Sequence, residues 1–130
     1  MKVMLDTDSC IFLINRRPGM TPQSPLHDCC ISAIVLGELE YGILKSARRD
    51  ANRDRLQNFL SSVAVLEVGE AESLAYAQIR LALQQQLIGR NDMWIAAHAL
   101  ALELPLVTNN TREFSRVPSL RIDTWMERGD

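Results

Sequence analysis

Short apolar runs recur along this chain, each bounded by polar or turn-forming residues: Val3-Met-Leu, Cys29-Cys-Ile-Ser, Val63-Ala-Val-Leu-Glu-Val and Leu106-Val-Thr. Runs of that length suit strands buried on both faces, which carry little polar alternation because neither side meets water. Longer segments with apolar residues at helical spacing lie between them. Parallel strands need long crossovers rather than tight turns, so strands alternating with helices predict an α/β fold with a mainly parallel sheet covered on both faces. No other pattern in the chain restricts the fold as tightly.

In order, residues 3–5 form the first strand, and Asp8 or Ser9 is placed to cap the next helix, whose apolar side is Ile11, Phe12, Leu13 and Ile14. Pro18, Gly19, Pro22 and Pro25 make residues 16–28 a loop with room for one short turn. Residues 29–32 are a second strand, and Ser32 caps a helix over 33–46. A helix over 50–62 and a strand over 63–68 follow. The helix over 70–87 opens on acids, where the macrodipole favours them, and Gly89 ends it. Asn91 or Asp92 begins a helix over 93–104, which Pro105 terminates. Residues 106–108 are a strand, 109–118 a polar loop or short helical turn, and 120–122 a last short strand.

With no repeat, linker or low-complexity tract in its 130 residues, the chain is expected to be one domain spanning 1–130. No apolar run reaches the length of a membrane span, and the first strand is too short for a signal-peptide core. Cys10, Cys29 and Cys30 give neither a disulfide framework nor a metal-binding spacing, which points to a reducing compartment, the cytoplasm. The net charge of −2 argues against a generic nucleic-acid coat protein but leaves nucleic acid open as a substrate. Twelve of the fourteen basic residues are arginines, which suit bidentate contact with phosphate or carboxylate.

Three acids fall where acids are otherwise avoided. Asp6 stands at the end of the first strand, where α/β sheets collect ligands and chemistry. Glu38 flanks the apolar stripe of Val35, Leu39, Gly42 and Ile43, whereas Glu40 points well away from it. Asp92 lies in the first turn of its helix, in line with Ile95, Ala96 and Ala99. Taken singly, Glu38 reads as a helix-edge residue reaching water and Asp92 as a cap. Thr108, Asn109 and Asn110, with Glu113 just beyond, offer further oxygens after a strand. Carboxylates gathered without a lysine repel one another and either take up protons or recruit a hard cation, for which Mg²⁺ or Mn²⁺ is the natural occupant. His27 and His98 lack zinc-ligand spacing, and His98 reads as a packing or hydrogen-bonding residue.

Four segments together resemble a known family: Met4-Leu-Asp-Thr-Asp-Ser-Cys-Ile; Ile31-Ser-Ala-Ile-Val-Leu-Gly-Glu-Leu-Glu-Tyr-Gly; Ile88-Gly-Arg-Asn-Asp-Met-Trp-Ile-Ala-Ala-His-Ala; and Leu106-Val-Thr-Asn-Asn-Thr-Arg-Glu-Phe-Ser-Arg-Val. In that order they are similar to the PIN-domain ribonucleases, specifically the VapC toxins of bacterial VapBC toxin–antitoxin pairs. The resemblance implies a three-layer α/β/α sandwich and an endoribonuclease that depends on Mg²⁺ or Mn²⁺. Asp6, Glu38 and Asp92 match the family's acids, and its fourth matches Asn110 or Glu113, of which Glu113 carries the charge. Thr108, Asn110 and Arg112 would position substrate or water, with Arg116 a second phosphate contact. Asp8, where close relatives often carry Asn, is read as a cap. The resemblance further implies a homodimer, cleavage of initiator tRNA in its anticodon loop, translation arrest, and a VapB antitoxin whose C-terminal segment crosses the site.

Two other readings compete. Asp6-Thr-Asp8 imitates the start of a haloacid dehalogenase-like phosphohydrolase, which also needs a suitably placed lysine; Lys2 and Lys45 are the only ones. A PIN-like module that only binds RNA or protein would require loss of the acids, yet Asp6, Glu38 and Asp92 are all present.

Overall fold

A computed structural model of the chain describes residues 1–127; the last three residues of the expected domain lie outside them. Five strands, β1 (Val3–Leu5), β2 (Cys29–Ser32), β3 (Ala64–Leu66), β4 (Leu106–Val107) and β5 (Ile122–Asp123), form one sheet in the order β3-β2-β1-β4-β5. Every pairing is parallel, with Met4 opposite Cys30 on one side and Leu106 on the other. The connections advance from β1 through β2 to β3, then return past β1 to β4 and β5. Right-handed crossovers therefore send the two sets of helices to opposite faces. This is the expected α/β/α sandwich, and the reversal between β1 and β4 is a topological switch point, where open α/β sheets hold their ligands.

The helices are α1 (Thr7–Ile14), α2 (Ala33–Leu44), α3 (Arg49–Leu60), α4 (Glu70–Ala82), α5 (Arg90–Ala101) and α6 (Thr111–Phe114), with a 3₁₀ turn at Leu26–Asp28 in the long loop. Met4, Leu5, Ile31, Leu106 and Val107 are wholly buried, so the central strands have no wet face. The three cysteines are buried and unpaired. Among the described residues no helix is long and apolar enough to cross a membrane.

Several boundaries differ from the sequence reading. The cap of α1 is Asp6, neither Asp8 nor Ser9: its extended backbone (φ −81°, ψ 176°) turns directly from β1 into α1, and its carboxylate accepts from Ser9 N–H. Ser32 caps α2 as expected, accepting from Ile34 N–H at 3.1 Å. Helix α5 begins at Arg90 after Gly89, so Asp92 lies inside the first turn and caps nothing. Helix α4 stops at Ala82 rather than 87, because the chain turns to bury both Leu83 and Ile88. Its Leu74 and Leu81 point outward, and Ile79 is its buried residue. The third strand is shorter than 63–68, the fourth ends before Thr108, and the last is displaced to Ile122–Asp123.

Candidate metal centre

The site grows from the one-residue junction between β1 and α1. Asp6 is buried to 4% exposure, and both its oxygens are engaged. Oδ1 accepts from Ser9 N–H at 2.9 Å, and Oδ2 accepts from the Thr108 hydroxyl at 2.5 Å. Burial raises the Asp6 carboxyl above its ordinary range, against the pull of these hydrogen bonds. The Ser9 hydroxyl donates in turn to Val107 O on β4. Residues from both sides of the switch point thereby fix one carboxylate.

Glu38 on α2 is half-buried, and its Oε1 accepts from the Thr7 hydroxyl at 2.5 Å. Glu40 turns the other way and pairs with Arg53 on α3. Asp92 is half-buried at the start of α5, and its carboxyl is pushed up to about 6, first by burial and then by the charges of Glu38, Glu113, Asp6 and Asp8. The charges of Glu38, Glu113 and Asp6 thus oppose ionisation of Asp92. Glu113 is half-buried on α6, whereas Asp8 is exposed on α1. Among the described residues, no three His, Cys, Asp or Glu side chains are drawn together tightly enough to enclose an ion.

Thr108 departs from its expected role. It is wholly buried, its hydroxyl donates to Asp6 and accepts from Asn110 N–H at 2.9 Å, and nothing of it is left to meet substrate. Asn110 occupies the cap position of α6 without a side-chain capping bond. Its neighbour Asn109 buries both side-chain heteroatoms without a hydrogen-bond partner. Arg112 is exposed and Arg116 half-buried, both on the α6 side. Sequence reasoning missed Thr7 and Ser9: a hydroxyl in a first helical turn carries no pattern of its own, and only the fold brings Glu38 and Val107 to them. His98 is fully buried on α5, 3.7 Å from Glu72 on α4, and takes no part here.

The model of the PIN domain family matches residues 3–120. The chain is a PIN-domain protein of the VapC group. Ribonuclease VapC2 of Rickettsia felis is 37% identical over 132 residues, covering 96% of this chain and 98% of its own. The tRNA(fMet)-specific endonuclease VapC of Shigella flexneri is 40% identical over 130 residues, with the same coverage. In the crystal structure of VapBC2 from Rickettsia felis bound to a promoter DNA fragment, a chain 35% identical superposes with a TM-score of 0.85, covering 96% of this chain and 99% of that one. These VapC relatives thus match the chain over nearly its whole length. Family membership leaves the phosphohydrolase reading of Asp6 and Asp8 without support.

Proposed function

We propose that this chain is an endoribonuclease toxin that uses Mg²⁺ or Mn²⁺ held by Asp6, Glu38, Asp92 and Glu113. The observation that carries the reading is Asp6 buried at the switch point with Glu38 tied to the adjacent Thr7 hydroxyl, while the charges of Glu38, Glu113 and Asp6 act on Asp92. Oxygen donors without a thiolate or imidazole suit a hard cation, and an anion as disfavoured as Asp92 gains most from one. When bound, such an ion supplies Lewis-acid polarisation of the phosphate and makes water a stronger nucleophile.

The protein's own part is geometric. Ser9 N–H and the Thr108 hydroxyl hold Asp6 in one rotamer, and Thr7 braces Glu38 from the adjacent helix. The exposed Arg112 and the half-buried Arg116 offer phosphate contacts beside Glu113. For the substrate we infer a tRNA, specifically initiator tRNA cut in its anticodon loop, with translation arrest as the result; the tRNA(fMet) specificity of the Shigella flexneri relative supports the choice of tRNA. For partners we infer a VapB antitoxin whose C-terminal segment crosses the site, and a second copy in a homodimer. The VapBC complexes of similar proteins support the antitoxin. The bacterial cytoplasm, where tRNA and ribosomes are found, is the compartment this function requires.

The test uses purified protein stripped of antitoxin. It should cleave tRNA with Mg²⁺ or Mn²⁺ and lose activity in EDTA, and Asp6→Ala and Asp92→Asn should each lower the rate by about 100-fold or more, the size expected for loss of a transition-state electrostatic contact. Full cleavage by both variants would falsify the metal assignment. Sequencing RNA fragment ends after induction in cells then identifies the substrate, and light scattering gives the oligomeric state.

A further inference from the structure

A groove of about 710 Å³ runs from the site along the seam of α1 and α2, lined by Thr7 and Glu38 at one end and Tyr41 and Lys45 at the other. Ile11 and Ile34 give it an apolar wall, and Asn91, next to Asp92, borders it from α5. A Cβ added at Gly37 or Gly42 would meet no heavy atom within 4 Å, so these glycines leave the α2 surface low and open. The Tyr41 ring is 64% exposed, far more than packing requires, and Lys45 Nζ sits 5.1 Å from its centroid.

We propose that this groove is a substrate subsite for a nucleotide flanking the scissile bond, with its base stacked on Tyr41 and its phosphate paired with Lys45. The proposal rests on the ribonuclease reading above and extends the same site. An exposed aromatic ring offers every base a face to stack on, which single-stranded nucleic acid exploits without sequence preference. Lys45 supplies the matching cation, and among the described residues it is the single positive side chain lining the groove. The carboxylate end and the aromatic–cation end share one continuous surface, so a strand placed at Glu38 is led directly to Tyr41. Lys45 over the ring is a weak exposed contact that a phosphate readily displaces.

The test is single-turnover cleavage of tRNA with protein in excess, giving the half-saturating protein concentration as a function of salt. Tyr41→Ala should raise that concentration about tenfold, and Tyr41→Phe, which keeps the ring, should stay within about twofold of wild type. Lys45→Ala should lower the slope of log affinity against log salt by about 0.7, the loss of one phosphate contact on a single strand. Tyr41 is exposed, so each variant should fold, and far-UV circular dichroism is the check. Wild-type half-saturation and salt slope in both alanine variants would overturn the proposal while leaving the ribonuclease reading intact. The same result with weakened antitoxin capture would give the groove to a protein segment instead. Wild-type protein that neither binds nor cleaves RNA would overturn the underlying reading and the subsite with it.

Discussion

The Thr7 hydroxyl reaches from the first turn of α1 to Glu38 on α2, so one oxygen of that carboxylate is engaged before any ligand arrives. Valine keeps the branched shape of threonine but has no donor. We therefore expect Thr7→Val to cut tRNA cleavage about tenfold, the effect of losing roughly 1.4 kcal/mol of orientation. Thr7→Ser should restore most of it, and Mn²⁺ binding followed by calorimetry should weaken in the valine variant alone. Asp92 invites the opposite experiment. Its ionised form is opposed by burial and by Glu38, Glu113 and Asp6, so Asp92→Asn should stabilise the metal-free protein while removing activity. A rise in Tm of about 3 °C, corresponding to about 1 kcal/mol in a chain of this size, is the expected magnitude. An unchanged or lower Tm would mean that the amide loses as much hydrogen bonding as it gains in relieved repulsion.

The helices differ in how far their limits can be read from sequence. Ser32 precedes a run of apolar residues and follows a strand, and its capping role is evident from those neighbours alone. The Asp6 cap is harder to read because Thr7, Asp8 and Ser9 directly after it are equally good capping types, and only the extended backbone of Asp6 and its bond from Ser9 N–H single it out. Helix α4 carries leucines beyond Ala82, but tertiary burial of Leu83 and Ile88 overrides the periodic pattern. Helix α6 has four residues, too few to show a period. Asp6, Glu38 and Asp92 are singled out as candidates by where acids fall on each element. The bonds from Thr7, Ser9 and Thr108 are not, because each depends on strand order rather than local sequence. At the α4–α5 seam, burial lowers the His98 imidazole below its ordinary 6.5, with Glu72 opposing the shift. The folded state thus binds fewer protons than the unfolded chain just below pH 6.5. His98's contribution to stability should be full above that value and decline as pH falls beneath it, opposite in sign to the gain as Asp92 takes up its proton near 6, and His98→Gln should remove the declining component of the Tm–pH curve. A curve unchanged by the substitution would assign the decline to other groups.

Taken as a whole, the molecule is closed by its C-terminal segment. Thr21 N–H donates to Trp125 O at 2.8 Å, Glu127 N–H donates to Gly19 O at 2.7 Å, and Met20 bridges Met126, so the long loop after α1 is stitched to the segment after β5. Trp125 is 1% exposed and anchors that closure. Trp125→Ala should cost about 3–5 kcal/mol in urea unfolding, as for other buried tryptophans; a loss below about 1 kcal/mol would show that the surroundings collapse onto the gap.

The bond between Thr108 and Asp6 spans 102 positions of sequence. A ribosome making this chain delivers Asp6 and Glu38 long before, and Asp92 shortly before, the segment that secures Asp6 emerges. Until then β1 lacks its β4 neighbour, and the switch point where Asp6 sits does not exist. An interrupted nascent chain thus carries three of the acids but no assembled site. On the function proposed above, the order of translation delays activity until the sheet is nearly complete.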